Sequence, residues 1–247
     1  MNTATVTRAV RARLGEWPGD PDVGHLVLLD HSMRPDDADV AGWAAEARRR
    51  GHRSLRTGAL FPESRPAFLR AGFRPIDELA LLEIDLSALR RRHGSSVLDA
   101  ARDLAGRGPT QRMSADDLGE VAALDQRAFP VPWGNDPTSL QAIRAATPSQ
   151  RSRVIRSEGA IVGFAISGRA GRAGYLQRLA VDPAARRRGL GRTLVDDACA
   201  WMTRRGAVRA VVNTATTNDP AITLYTSFGF QRRSETLMVL ELELEPG

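Results

Sequence analysis

Leu179-Ala-Val-Asp-Pro-Ala-Ala-Arg186-Arg-Arg-Gly189-Leu-Gly191 runs directly into Arg192-Thr-Leu-Val-Asp-Asp-Ala-Cys-Ala-Trp-Met202, and this junction decides the fold. Tyr175 to Val181 reads as a strand, while Leu194, Val195, Ala198, Cys199, Trp201 and Met202 recur at helical spacing. A strand therefore passes through a basic glycine loop into a helix N-terminus. Such a terminus presents N–H groups without intrahelical acceptors and the positive end of the helix dipole, and glycines let a ligand oxygen approach the backbone. This chemistry suits a phosphate.

Upstream, Ser114 stands three residues before Asp117, an N-cap pattern, and Leu118, Val121, Ala122 and Leu124 share one helical face, predicting a helix from Ser114 to Arg127. Phe129-Pro-Val-Pro-Trp133 follows as a rigid turn, then a helix over Thr138 to Ala146. A hairpin comes next, Arg153 to Arg156 and Ala160 to Ser167, turning at Glu158-Gly159. Downstream of the glycine loop lie a strand over Ala207 to Asn213 and the segment Asn218-Asp-Pro-Ala-Ile-Thr-Leu-Tyr225-Thr-Ser-Phe-Gly-Phe230.

The first third of the chain repeats part of this plan. Arg49-Arg50-Gly51 matches Arg204-Arg205-Gly206, and Gly72-Phe73 matches Gly229-Phe230, with 21 residues from glycine to glycine in one copy and 23 in the other. Each copy closes on an apolar strand, Leu79 to Leu86 and Leu237 to Leu244. Between them Ser87 to Gly108 reads as a helix and a linker. The expected division is a first domain at 1–95, a linker at 96–108 and a second domain at 109–247.

Arg186-x-x-Gly189-x-Gly191 after that strand, with Asn218 to Phe230 behind it, resembles the GNAT N-acetyltransferases over about Gln111 to Leu244. The resemblance implies an α/β fold with a mixed, mostly antiparallel sheet, split between the strands Tyr175–Val181 and Ala207–Asn213 to admit coenzyme A. It implies acetyl-CoA as cosubstrate, a primary amine as acceptor and no metal. Arg186, Arg187, Arg188, Gly189, Leu190, Gly191, Arg192 and Thr193 would hold the pyrophosphate, and Leu179, Ala180 and Val181 the pantetheine arm. Tyr225 matches the family's acid, whose phenol protonates the leaving thiolate. Asn218 is either a coenzyme A contact or an ordinary turn residue. The two-copy plan is similar to the tandem GNAT arrangement of mycothiol synthases. The first copy has Phe68 at the place of Tyr225 and the acidic, glycine-free Asp30 to Asp39 at the place of the loop, so it is expected to be degenerate and non-catalytic.

Phe129 to Trp133 also resembles the ribosomal-protein alanine acetyltransferases. Their strand glutamate, twelve residues before the tyrosine, is Asn213 here, which accepts no proton and puts that substrate in doubt. The base is left open, with a water relayed near Gln177 as one route. Two readings stand for Phe129 and Trp133, lining the acceptor groove or packing the first helix. Cys199, on an apolar helical face, reads as a small buried hydrophobe, and Asp196-Asp197 as acids in the first turns of a helix.

All 35 basic residues are arginine, set against 29 acids, for a net charge of +6. They are dispersed, which speaks for codon bias in a GC-rich genome and against a nucleic-acid surface. No apolar run has the roughly 20 residues of a membrane span. Met1 to Arg13 lacks the apolar core of a secretory signal, so a cytoplasmic location is expected. One cysteine excludes an internal disulfide, and all four histidines precede residue 94, leaving none for the second half. The rival readings are a non-catalytic acyl-CoA sensor or interaction module, and a nucleic-acid-binding protein.

Overall fold

The two copies found in the sequence end their helices with the same backbone device. The computed structural model describes residues 10–29, 34–88 and 110–244. In the first copy, α1 (Asp37–Arg49) stops where Gly51 takes φ +82° and His52 N–H returns to Ala47 O at 3.2 Å. In the second, a helix over Leu190–Arg204 stops at Gly206, also at φ +82°, with Ala207 N–H on Met202 O at 3.0 Å. The next helices repeat it. α2 (Arg65–Arg70) ends at Gly72, and a helix over Asp219–Phe228 ends at Gly229, both left-handed. Phe73 N–H then bonds Phe68 O at 3.1 Å, and Phe230 N–H bonds Tyr225 O at 3.0 Å. A left-handed residue closes a helix without Cβ strain only when it is glycine. The aromatic pairs match as well, Phe68 with Phe73 at 5.1 Å and Tyr225 with Phe230 at 5.7 Å.

The chain forms two compact units that are not consecutive lengths of sequence: the first holds residues up to Ala80, Ala215–Thr217 and the chain from Ser234, the second Leu81–Thr214 and Asn218–Arg233. The division falls within β4 (Arg74–Asp85) and β10 (Gln231–Glu243). The expected linker at 96–108 lies outside the described residues, as does the expected helix beyond Ala88.

In the first unit β1 (Ala12–Trp17), β2 (Asp20–Leu28), β3 (Ser54–Thr57), β10 and β4 lie in that order. β2 and β3 run parallel, and β10 is antiparallel to β3 through Glu241↔Arg56 and Leu242↔Leu55. The last strand of the chain thus completes the sheet of the first copy, which is how a copy of about 90 residues obtains a full core. Leu26, Leu55, Phe68, Phe73 and Leu240 are buried together there. The acids Asp36 and Asp39 form a capping box at the start of α1, each side chain accepting the other's N–H.

His25 on β2 stacks edge-on against Trp17 at 4.8 Å. Burial first, then the charges of Arg13 and Arg56, lower its pKa from 6.5 to about 4. Between those values the unfolded chain takes up a proton that the folded unit refuses. Stability is therefore full above pH 6.5 and falls as the pH drops toward 4, by about 3 kcal/mol from this group. Urea midpoints at pH 7.5 and 4.5 are expected to differ less in His25→Gln than in the wild type.

The second unit orders its strands as Leu81–Asp85 of β4, β9 (Arg209–Ala215), β8 (Ala173–Val181), β7 (Ala160–Ala170), β6 (Ser149–Ser157) and β5 (Thr110–Arg112). β5 to β8 are antiparallel, and β8 and β9 are parallel. α3 (Leu118–Ala128) and α4 (Pro137–Ala145) pack with β6 and β7, their core formed by Val121, Leu124, Leu140, Val154, Phe164 and Ile166. α5 (Leu190–Arg204) packs on β7 and β8, and α6 (Asp219–Phe228) on α5. α3 starts one turn later than Ser114 because Ser114 and Asp117 exchange hydrogen bonds, Ser114 N–H to the Asp117 carboxylate at 2.7 Å and Asp117 N–H to Ser114 Oγ at 3.3 Å. The β6–β7 hairpin is longer than expected, and Glu158 (φ +52°) and Gly159 (φ +86°) supply its paired left-handed turn. Among the described residues no helix is long and apolar enough to cross a membrane.

Candidate active site

β8 and β9 separate soon after they meet. Their parallel register covers Ala173↔Arg209, Gly174↔Ala210 and Tyr175↔Val211 and stops there. From Leu176 to Val181, β8 is paired on its β7 side only, so its other edge opens onto a cleft. Asn213 sits on the diverging part of β9, exposed.

A bulge shapes the same stretch of β8. Ile166 pairs with Arg178 and Ser167 with Leu176, so Gln177 is the extra residue. A bulge of this kind breaks the alternation of side chains. Gln177 Nε2 donates to Ile143 O on α4 at 3.1 Å, and Arg178 reaches Asp125 on α3, so neighbouring side chains turn to one face. The Oε1 atom of Gln177 is buried without a hydrogen-bond partner.

Arg178 ties three elements together. Its Nε and Nη2 donate to the two carboxylate oxygens of Asp125, each at 2.7 Å, its Nη2 also reaches Trp133 O at 2.8 Å, and its guanidinium lies 3.5 Å from the centre of the Phe129 ring. Asp125 is fully buried and accepts from Asn135 N–H at 2.7 Å and Asn135 Nδ2 at 3.1 Å. The Phe129 ring thus packs under the Arg178 guanidinium and against the core that α3 helps to form, and Trp133 is joined to Arg178 through its backbone carbonyl. Val131 at the tip of that turn is 95% exposed. Neither Arg178 nor Asp125 was picked out from the sequence. The available signal was an acid, Asp125, beside Leu124 and Val121 on a helix face otherwise apolar.

At the end of β8 the chain makes a short 3-10 turn, Pro183–Ala185, started by the Asp182 carboxylate accepting from Ala184 N–H at 2.9 Å. Arg127 pairs with the same carboxylate at 2.8 Å. Arg187 (φ +66°) and Gly189 (φ +78°) are both left-handed, and Gly189 is the N-cap of α5 without any side chain capping it. The first intrahelical bond is Thr193 N–H to Gly189 O at 3.1 Å, so the N–H groups of Leu190, Gly191 and Arg192 precede the helix's own acceptors. Arg186 to Gly189 are exposed, and among the described residues Arg187 and Arg188 form no ion pair. A side chain at Gly189 would meet nothing within 4 Å, which leaves open space over the helix end. Cationic groups, unspent N–H donors and open space together fit an anionic phosphate group.

The two motif glycines do different work. Gly189 supplies the backbone conformation, whereas at Gly191 a Cβ would lie 3.1 Å from Leu224 Cδ2 of α6. Gly191 therefore lets α6 approach α5, and Arg192 lies 5.6 Å from the Phe228 ring at the same crossing. The residue after Leu224 is Tyr225. Its side chain is 5% exposed, and burial above all raises its phenol pKa, with the Cys199 thiol adding and the Arg178 charge opposing. Tyr225 thus lies among Cys199 of α5, Arg178 of β8 and Phe230. Asn218 lies about 10 Å away along α6. Its Oδ1 accepts from Ala221 N–H at 3.3 Å and its Nδ2 donates to Thr214 Oγ1 at 2.9 Å, so it caps α6 and anchors it to β9.

Cys199 is buried on α5, and burial raises its thiol pKa, as expected of a small core residue rather than a nucleophile. Asp196 faces partial burial, which raises its pKa, while Asp197 accepts from Arg151 at 2.7 and 2.8 Å. Among the described residues no group of three His, Cys, Asp or Glu side chains is placed to hold a metal.

Residues 118–230 match the model of the acetyltransferase (GNAT) family. The N-alpha-acetyltransferase RimI of Mycobacterium tuberculosis (strain ATCC 25618 / H37Rv) is 35% identical over 122 residues, 47% of this chain and 73% of that protein. The chain belongs to the GNAT acetyltransferase family. Among solved structures, a tandem GNAT protein from the clavulanic acid biosynthesis pathway superimposes with a TM-score of 0.61 at 16% identity, over 96% of this chain and 79% of that one. A GCN5-related N-acetyltransferase from Sphaerobacter thermophilus gives 0.57 at 14% identity, over 97% and 78%. At these identities the likeness is one of fold, and it extends over both copies in this GNAT chain.

Proposed function

We propose that this GNAT protein transfers the acetyl group of acetyl-CoA to a primary amine, in the cytoplasm, with the chemistry confined to the second copy. The observation that carries the reading is the opening of β8 from β9 beside an uncapped, arginine-flanked start of α5. Acetyl-CoA, when bound, supplies an acyl group activated as a thioester. Arg186, Arg187 and Arg188, with the N–H groups of Gly189, Leu190, Gly191, Arg192 and Thr193, would hold its pyrophosphate. The unpaired edge of β8, Leu179, Ala180 and Val181, would accept an amide-bearing arm as a strand partner. Asn218 serves this arrangement by holding the start of α6 against β9.

In the transfer, the neutral amine nitrogen bonds to the acyl carbon, the carbon–sulfur bond breaks, Tyr225 O–H gives its proton to the departing sulfur, and the proton shed by the nitrogen as it becomes an amide passes through water to restore the phenol. The raised phenol pKa keeps that proton in place at working pH. Asn213 offers no base on β9, so the amine either arrives deprotonated or loses its proton to a water relayed near Gln177. The first copy takes no part in the chemistry. Phe68 stands where an acid is required and is wholly buried.

Calorimetric titration of the purified protein with acetyl-CoA tests the reading. Gly189→Glu places a carboxylate and an L side chain at φ +78°, and it is expected to weaken binding by about tenfold or more. A wild type that does not bind acetyl-CoA sinks the proposal.

A further inference from the structure

The far end of α5 carries a different concentration of positive charge. Arg112 of β5 is the register partner of Arg153 on β6, and Arg151 lies two residues earlier on the same side of that strand. Asp197, Trp201 and Arg205 follow at four-residue intervals on α5 and so share one helical face. Arg112, Arg151, Arg153, Trp201 and Arg205, with Arg144 of α4, line a cavity of about 250 Å³, and Asp197 lies behind it on the same helical face.

We propose that this cavity, walled by Arg112, Arg144, Arg151, Arg153, Arg205 and Trp201, is a binding site for the diphosphate group of a small molecule. Five arginines line it, and Asp197 is the one acid they pair with among the described residues: Arg151 bonds it at 2.7 and 2.8 Å, and Arg153 lies 3.8 Å from it. The excess is about four positive charges. Arg153 is further held by Thr110, its Nη2 donating to Thr110 Oγ1 at 3.0 Å. Arg144 donates through Nη1 to Gln141 Oε1 at 3.1 Å, yet its Nε is buried with no partner. Burial first, and then the neighbouring Arg151 charge, lower the pKa of Arg153, whereas hydrogen bonding to Asp197 raises that of Arg151, so the repulsion falls on Arg153. A multiply charged oxyanion relieves that repulsion and accepts from several planar guanidiniums at once.

Size narrows the class of ligand. The cavity is smaller than the roughly 300–1,000 Å³ of sites that enclose a drug-sized molecule, and it suits inorganic pyrophosphate or the phosphate end of a nucleotide. It is separate from the start of α5, since Gly189 and Trp201 are about 18 Å apart along the helix axis. The inference does not depend on acetyl transfer.

The full chain titrated calorimetrically with inorganic pyrophosphate, ADP and orthophosphate tests it, with two double variants, Arg112→Gln/Arg205→Gln and Arg187→Gln/Arg188→Gln. All four replaced side chains are exposed, so unchanged circular dichroism is expected of both variants. Pyrophosphate is expected to bind at least about tenfold more tightly than orthophosphate and to lose about tenfold in Arg112→Gln/Arg205→Gln, whose acetyl-CoA affinity stays at the wild-type value. Equal binding of ADP and pyrophosphate assigns the site to the diphosphate alone, and tighter ADP assigns it to a nucleotide. Three results overturn the proposal: no pyrophosphate binding by the wild type, loss confined to the Arg187→Gln/Arg188→Gln variant, or displacement of pyrophosphate by a short DNA duplex at equal phosphate concentration, which would mark a polymer surface.

Discussion

Tyr225→Phe is expected to lower kcat by about 10²- to 10⁴-fold, the usual contribution of a positioned general acid, with acetyl-CoA affinity within about threefold of the wild type. The substitution removes one oxygen. The ring keeps its place against Phe230 at 5.7 Å, so the end of α6 and its left-handed Gly229 are left intact. Burial raises the phenol pKa, so the acid is protonated throughout the range in which an enzyme is ordinarily assayed. The sign follows from that: the wild-type rate does not fall with rising pH through loss of the tyrosine proton, and the ratio of wild type to variant stays constant from pH 7 to 9. Equal rates for the two proteins across that range would remove Tyr225 from the mechanism. A constant ratio with a rate that climbs with pH would instead report deprotonation of the incoming amine, as expected if Asn213 leaves the strand without a base.

The second large effect concerns stability. Asp125→Ala is expected to destabilise the second unit by about 3–5 kcal/mol, because it leaves the Arg178 guanidinium part-buried without its carboxylate. It also strips an acceptor from both the N–H and the side-chain amide of Asn135. Such a loss is a large share of the 5–15 kcal/mol that holds a typical protein folded. Urea denaturation measures it, and the double variant Asp125→Ala/Arg178→Met should recover part of the loss, since an apolar side chain needs no counter-charge. A cost below about 1 kcal/mol would mean that the Phe129–Trp133 turn is held by its prolines and core contacts rather than by the Arg178 bridge.

The parts of this molecule that were legible in the sequence are those governed by short-range backbone rules. Gly51, Gly72, Gly206 and Gly229 each end a helix in a left-handed conformation, and their order along the chain exposed the internal repeat before any geometry was available. The glycine loop and the start of α5 were legible for the same reason, as was the burial of Cys199 on an apolar face. The bulge at Gln177 was not, because an extra residue in one strand appears only when the partner's register is known. The Asp125–Arg178 bridge joins residues 53 apart, and no local pattern links them. Asn218 shows the limit most plainly: its motif did not reveal the bonds to Ala221 and Thr214 by which it caps α6 and ties it to β9, because the second of these depends on where β9 lies.

By itself, then, the sequence determined which backbone conformations the chain adopts at its turns and helix ends, and hence the family resemblance and the phosphate-ready loop. Those features depend on φ, on missing Cβ atoms and on spacing within one or two turns, all of which are written locally. Tertiary structure alone decided that the final strand, β10, pairs with β3 of the first copy, that Gly191 serves the approach of α6 to α5, and that five arginines from β5, β6, α4 and α5 share one cavity. These depend on which surfaces are buried together. Apolar burial and charge pairing act between residues close in space, whatever their distance along the chain.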